Sequence, residues 1–387
     1  MTNKTVTHVI VNNLGGITSL VQNLILYKGN TAVNQELILL DIEGNLNTPA
    51  ILNDKIPANV TNFSIQPKDN WYHTYKRLAN LLRKSEGLLV TNDQYDLIML
   101  QAFNIPQKVI QLVHDEYNLQ LTIKFSDCID VFLAHSLFIY ELLQKNMPLR
   151  SKDIIHIPYG VPLVKKVVRN IKSGPLKLIF LGRHDKAKGV YDLHRIDKLL
   201  KEKEVVVSWL ILGSGQETET LKKDWSTNTN VEFSTPETYA QLISLIEQCD
   251  IFVFPTKFEG FPVSLLETMS TGCIPIVTDL PGGIQEIVKD GITGFKCPID
   301  DNDKFAEKIS FLDSNRESLL EFQKNAMNIV HENYNASIQF NKYQQAFNDI
   351  INNDSLPKHH FVTKKIGSRL DQPWIPNLIT KAVRKLV

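Results

Sequence analysis

Neither sign of charge predominates in these 387 residues: 42 Lys and Arg stand against 42 Asp and Glu. A balanced chain has no whole-molecule attraction for a polyanion, which removes the electrostatic case for nucleic acid as a partner. Cysteine is scarce as well. The four (Cys128, Cys249, Cys273, Cys297) stand far apart, with no Cys-x-x-Cys or Cys/His cluster, so neither a zinc site nor a disulfide frame is expected. No uninterrupted apolar run approaches the ~18 residues that span a bilayer. The opening MTNKTVTHVIV has one Lys and too short an apolar run for a signal peptide. Glycine and proline, 18 and 17, are too few for a collagen-like or low-complexity chain. What remains is ordinary globular composition in a chain longer than one core usually supports, so a cytoplasmic protein of two domains is expected.

The first strand is expected at 7–12, a β-branched run stopping at Asn12-Asn13-Leu14-Gly15-Gly16, with an apolar-periodic helix over 17–27. Strand, glycine turn and helix open a nucleotide-type α/β unit. Strand-like runs recur at 37–41, 87–91, 109–113, 131–134 and 154–157, with helical patterns around 72–84, 94–103 and 136–146. That alternation implies a parallel sheet covered on both faces. After Ile157-Pro158-Tyr159-Gly160-Val161-Pro162, residues 163–175 read as a connection, and the pattern restarts at 176–182, 205–213, 251–255 and 274–278. The expected class is therefore α/β, with two Rossmann-like domains facing across a cleft that holds the site. The domains are placed at 1–163 and 172–335, followed by a helix at 336–356 returning to the first domain and a basic amphipathic tail at 357–387.

The densest chemistry lies between Phe254 and Glu267. An apolar strand ends there, a loop carries Glu259-Gly260-Phe261, and a helix starts near Pro262, a residue suited to a first turn. The amides of Val263 and Ser264 would be unsatisfied at that start, which suits a phosphate. Glu267, about one turn in, is placed to accept two adjacent hydroxyls, as on a ribose. The plainer alternative is a pair of carboxylates favoured by the helix dipole. A second stretch, Gly182-Arg183-His184-Asp185-Lys186-Ala187-Lys188-Gly189, follows another strand end. Arg183 as a planar fork and Lys188 as a point charge can neutralise a diphosphate, although a solvated loop has the same composition.

Gly15-Gly16 lets backbone approach a ligand, or is a plain helix entry. Gly213-Ser214-Gly215 follows a strand without completing a dinucleotide fingerprint, because position 218 is Thr. His114 ends the run 109–113, either facing a cleft or serving structure. Asp300-Asp301-Asn302-Asp303 reads as a loop with a helix cap rather than a metal site. The tail 357–387 holds seven Lys/Arg and one Asp. Within 374–387, Ile375, Leu378, Ile379, Ala382, Val383 and Leu386 recur at helical spacing after Trp374, with Lys381, Arg384 and Lys385 opposite. Two uses are open: an anionic membrane surface, or docking onto the protein's own body. A similar face at 71–84 reads as an ordinary surface helix.

In chain order, the Gly-Arg-x4-Lys-Gly loop at 182–189, Gly-Ser-Gly at 213–215, and the Glu-x7-Glu pair at 259 and 267 resemble glycosyltransferase family 4, the retaining GT-B enzymes that use nucleotide sugars. Thr271-Gly272-Cys273-Ile274-Pro275-Ile276-Val277 and the run from Gly282-Gly283 to Asp290-Gly291-Ile292-Thr293-Gly294 extend the match. It is strong over 176–296 and looser before, through Gly15-Gly16, His114-Asp115 and 157–161. The resemblance implies an acceptor domain at 1–163 and a donor domain at 172–335. Arg183 and Lys188 would hold the diphosphate, Glu267 the ribose and Glu259 the donor sugar. Gly182, Gly213, Gly260, Phe261, Pro262, Val263 and Ser264 would complete the donor site. Gly15 and Gly16 would approach the phosphates, and His114 the reacting sugar, making His114, Glu259, Arg183 and Lys188 the catalytic set. It implies no metal and no cofactor beyond the nucleotide sugar, UDP-linked by the EGFP form at 259–262, and a glycan or lipid-linked acceptor in envelope or polysaccharide biosynthesis. The enzyme would sit in the cytoplasm, peripherally on the membrane through 374–387. Two departures stand out: Pro-Tyr-Gly at 158–160 where the family has Pro-Asn-Gly, and Val-Glu-Phe-Ser-Thr-Pro at 231–236 where a glycine often follows the aromatic. A binding subunit without activity, or an epimerase of the same architecture, are the competing readings.

Overall fold

The computed structural model describes residues 4–13, 15–27, 33–45, 49–50, 52, 56–164, 167–170, 173–354, 356 and 365–386. Positions 165–166 and 171–172 of the expected connection and 357–364 of the tail lie outside them. The chain divides into two compact units, Met1–Ile157 with Phe340–Val387, and Pro158–Gln339. The first boundary thus falls at Ile157 rather than after 163. The second unit begins at Pro158 rather than 172 and runs to Gln339 rather than 335.

The N-terminal unit is built on seven parallel strands in the order β3-β2-β1-β4-β5-β6-β7. They are β1 (Thr5–Val11), β2 (Asn34–Ile42), β3 (Asn59–Ile65), β4 (Gly87–Thr91), β5 (Lys108–Val113), β6 (Val131–Ala134) and β7 (Ile154–His156). Central strands such as β4 and β5 are buried on both faces, so they read as continuous apolar runs. The edge strand β3 buries only Phe63 and Ile65 and exposes its other five residues, so its apolar signal is confined to that one alternating pair. The order reverses between β1 and β4, which puts Asn12, Gly15 and Asn92 at the carboxyl ends beside the switch point.

The helix Ala336–Asn352 completes this unit with residues from the far end of the chain. Phe340, Tyr343 and Phe347 recur at helical spacing and are fully buried. Phe340 packs on Tyr27, Phe347 on His8, and the Gln344 side-chain amide donates to the Leu24 carbonyl at 3.1 Å.

The C-terminal unit holds six parallel strands ordered β10-β9-β8-β11-β12-β13. They are β8 (Leu176–Leu181), β9 (Val207–Leu212), β10 (Val231–Ser234), β11 (Ile251–Phe254), β12 (Ile274–Thr278) and β13 (Phe295–Cys297). Trp209, Trp225, Phe180, Phe252 and Phe254 fill the core. Part of the connection is itself anchored here. The buried Arg169 donates to the carbonyls of Thr271 and Cys249, both at 2.9 Å.

Candidate active site

In the C-terminal unit the chemistry collects at the carboxyl ends of β8, β9 and β11. Beyond β8 the chain passes through Gly182, Arg183 and His184, and Gly213-Ser214-Gly215 beyond β9 lies directly against it. His184 N–H donates to the Ser214 carbonyl at 2.9 Å. Gly213 has φ 127°, and a Cβ there would sit 2.0 Å from the Gly182 oxygen; one at Gly215 would sit 2.5 Å from the His184 oxygen. The glycines of this motif therefore let two loops cross, a requirement that exists without any ligand. His184 is buried under the crossing, 2.9 Å from Thr218 Oγ1, and burial pulls it down to about 4, so it is neutral at physiological pH.

Asp185 then caps a short 3-10 turn over Lys186–Lys188, accepting from the Lys188 amide at 3.0 Å. Gly189 leaves the turn with φ 68°, its α-carbon packed so close to Pro255 that a Cβ would fall 1.9 Å from the Pro255 oxygen. Gly189→Ala combines that clash with a left-handed backbone, and is expected to lower stability by about 2–4 kcal/mol. A reduced denaturant midpoint checks this; an unchanged midpoint would mean that the turn relaxes freely.

The turn aims Lys188 at the second motif. Its Nζ lies 2.7 Å from Glu259 Oε2 and 3.3 Å from the Phe258 carbonyl, over the Phe254 ring. The two side chains are only 15% and 16% exposed. Arg183 behaves differently: it is 59% exposed and rests 3.4 Å from Asp185. The two cations that look equivalent in sequence are thus one mostly buried against Glu259 and one exposed beside Asp185.

The helix after Glu259 runs Val263–Ser270, with Pro262 as its cap at φ −75°, ψ 110°. Proline therefore precedes the first turn rather than opening it, and its missing N–H costs the helix nothing. Among side chains of the first turn none is acidic, which leaves the positive end of the helix for an anion. Glu267 is buried one turn further in, and loss of solvent pushes its carboxyl up to about 8. Gly283 donates its amide to the Gly260 carbonyl at 2.8 Å, and a Cβ there would come within 2.8 Å of the Phe261 Cα. The Phe261 ring meets Tyr159 edge-on at 5.2 Å and lies 6.0 Å from Tyr334. Tyr159, where the family pattern has Asn, so becomes a wall behind the loop that follows Glu259. Its departure from the pattern was its signal; Tyr334 carried none.

Asp301 caps the helix Asn302–Ser314, accepting from the Lys304 amide at 2.9 Å, while Asp300 takes φ 61° and pairs with Lys257. Those acids are committed to structure.

Gly15, Gly16 and His114 belong to the N-terminal unit. Gly15 is extended and a Cβ there would meet nothing within 4 Å, so the chain itself does not demand glycine at that point. Gly16 opens the helix Gly16–Leu26. His114 follows β5 and is buried, which pulls it down to about 3. The Asn92 side-chain amide donates to the Val9 carbonyl at 3.1 Å, so its Oδ1 faces His114 Nε2 at 3.0 Å and that nitrogen carries the proton. The ring stacks on His135 at 5.0 Å, and His135 Nδ1 lies 2.8 Å from the Tyr343 hydroxyl, which donates to the Ile157 carbonyl at 2.9 Å. His135 and Tyr343 are a support for His114 that sequence spacing does not reveal.

Residues 164–329 match the family model of glycosyl transferases group 1. Over 191 residues the chain is 27% identical to WcaL of Escherichia coli, named as a colanic acid biosynthesis glycosyltransferase, covering 46% of this chain and 47% of that one. Over 184 residues it is 27% identical to the N,N'-diacetylbacillosaminyl-diphospho-undecaprenol alpha-1,3-N-acetylgalactosaminyltransferase of Campylobacter jejuni, covering 48% and 47%. The chain spans about half the length of these curated relatives. The structure of Anabaena HepE in complex with UDP and glucose matches 89% of this chain and 100% of its own, with TM-score 0.70 at 15% identity. Residues 164–329 therefore match the glycosyl transferases group 1 family model, in a chain whose fold is GT-B.

Proposed function

We propose that the chain is a retaining glycosyltransferase that moves a sugar from a UDP-sugar to a lipid-linked or other glycan acceptor in envelope or polysaccharide biosynthesis. The observation that carries this reading is the Lys188–Glu259 pair, 2.7 Å apart beside the start of the helix Val263–Ser270. A diphosphate entering there has the Lys188 cation, a helix terminus and the exposed Arg183 to hold it. As Lys188 turns to the phosphate, Glu259 is released to accept hydroxyls of the donor sugar, and Glu267 to accept those of the ribose. Charge developing on the departing diphosphate is met by groups already in place, so the rate gain is positioning plus electrostatics. In this reading the leaving phosphate takes the acceptor proton on the same face, and His114, a neutral ring whose Nε2 proton is given to Asn92, borders the reacting sugar without donating to it. The UDP assignment is supported by the nucleotide in the HepE complex, and the acceptor class by the diphospho-undecaprenol in the Campylobacter enzyme's name.

A thermal-shift titration with UDP, GDP, ADP and NAD tests it. A ligand at a hundred times its dissociation constant stabilises by about 2.7 kcal/mol. UDP is expected to shift the wild-type transition and to lose that shift in Glu267→Ala. A shift with NAD alone, or with no nucleoside diphosphate, would overturn the reading.

A further inference from the structure

The helix Asn377–Leu386 presents its apolar side to solvent and its polar side to the protein. At 100° per residue, Asn377, Thr380, Lys381 and Arg384 share one face. Asn377 accepts from the Asn70 amide at 2.7 Å and its own side-chain amide donates to Asp69 Oδ1 at 3.1 Å. Thr380 is fully buried, donating to the Leu370 carbonyl at 3.0 Å. Lys381 lies 2.8 Å from Asp69 and Arg384 2.7 Å from Asp371, two acids that are themselves buried. Asn70 ties down the approach, donating to the carbonyls of Leu370, Gln372 and Ile375. The opposite face carries Leu378, Ile379, Val383 and Leu386. Leu378 and Leu386 are 81% and 87% exposed, and Trp374 just ahead of the helix is 74% exposed.

Water-facing helices of a domain have the reverse polarity, because burying leucine rather than lysine is what stabilises them. Here two ion pairs between buried acids and tail cations hold the helix in an orientation that leaves its apolar arc outward. We propose that this arc inserts into the interfacial layer of a lipid bilayer, with Trp374 at headgroup depth. Lys381 and Arg384, which the sequence pattern assigns to anionic lipid, instead fasten the helix to Asp69 and Asp371. Attachment is then driven by apolar insertion, and the exposed Lys365, Arg369 and Lys385 add a weaker attraction to negative headgroups. A second copy of the chain is disfavoured as the occupant, because a symmetric contact would set these unpaired cations against their own copies. The proposal is independent of the donor site.

Flotation of the full chain with vesicles of phosphatidylcholine alone, and of phosphatidylcholine with phosphatidylglycerol, tests it. The wild type is expected to float with both, and to remain bound at about 1 M salt, where charge attraction is screened beyond ~3 Å. Leu378→Ser with Leu386→Ser is expected to cut partition at least about tenfold on both vesicles, with an unchanged melting temperature. Lys385→Ala is expected to weaken only the anionic case. Absence of flotation, salt-released binding, or binding kept by the double serine variant would overturn the proposal. So would a concentration-dependent dimer of the wild type, seen without vesicles, that the serines dissolve.

Discussion

Lys188→Ala and Glu259→Ala are each expected to lower kcat/KM for sugar transfer by about 10²–10³-fold, the usual loss when one pre-placed electrostatic partner of the transition state is removed. Lys188 is held by three features at once: the capped turn at Asp185, the Gly189–Pro255 packing, and the contact with Glu259. Because each partner is mostly buried, either single replacement strands the other charge, and a stability loss accompanies the catalytic one. The double Ala variant separates the two effects. It is expected to regain stability relative to either single variant while remaining as inactive as either. Lys188→Arg is not a rescue, since a planar fork cannot occupy a point-charge position facing Glu259 and the Phe258 carbonyl. Melting curves beside initial rates check this. Turnover near wild type in either single variant, with the fold intact, would remove the pair from the reaction.

Glu267→Gln is expected to change the pH dependence of both stability and nucleotide binding. Burial holds this carboxyl at about 8 against an ordinary value of 4.5. The folded protein therefore keeps a proton that the unfolded chain releases, and stability falls as pH rises from about 4.5 to about 8, then levels off. The loss across that window reaches about 5 kcal/mol if no other group compensates. Glu267→Gln removes the slope, so the variant gains on the wild type at pH 8 and not at pH 4. With ribose hydroxyls donating to the carboxylate, as proposed, wild-type binding below pH 8 is expected to release a proton. Calorimetry in buffers of different ionisation heat measures that release, and Glu267→Gln is expected to abolish it and weaken binding. Equal proton release in both proteins would place the ribose elsewhere.

Much of the scaffold was legible because parallel strands buried on both faces are apolar runs. The expected 87–91 and 131–134 coincide with β4 and β6, and 109–113 falls within β5. The strand β3 was not legible, since an edge strand with five exposed residues carries only a weak hydrophobic signature. Motif residues could be named from their types and order, yet their geometry could not. Lys188 and Glu259 are brought within 2.7 Å only because β11 pairs with β8 across the sheet. Nor does spacing separate a glycine needed for packing, such as Gly213, from one such as Gly15 that the chain does not itself require. In the tail, periodicity defined the apolar arc, but its outward direction depends on Asp69, some three hundred residues away in the chain.

The helix Ala336–Asn352 has a consequence for how the protein is born. Phe340, Tyr343 and Phe347 are buried, packed on Tyr27 just after the helix Gly16–Leu26, on His135 just after β6 and on His8 of β1, so the first unit to leave the ribosome lacks part of its own interior. All of Pro158–Gln339 must be made before those aromatics arrive. At about 5–20 residues per second that delay is roughly 10–40 s. During it, the faces around His8 and His135 stand open, whereas the later unit, contiguous in sequence, can close as soon as it emerges. Synthesis order and folding order are thereby inverted: the half made first is the half finished last.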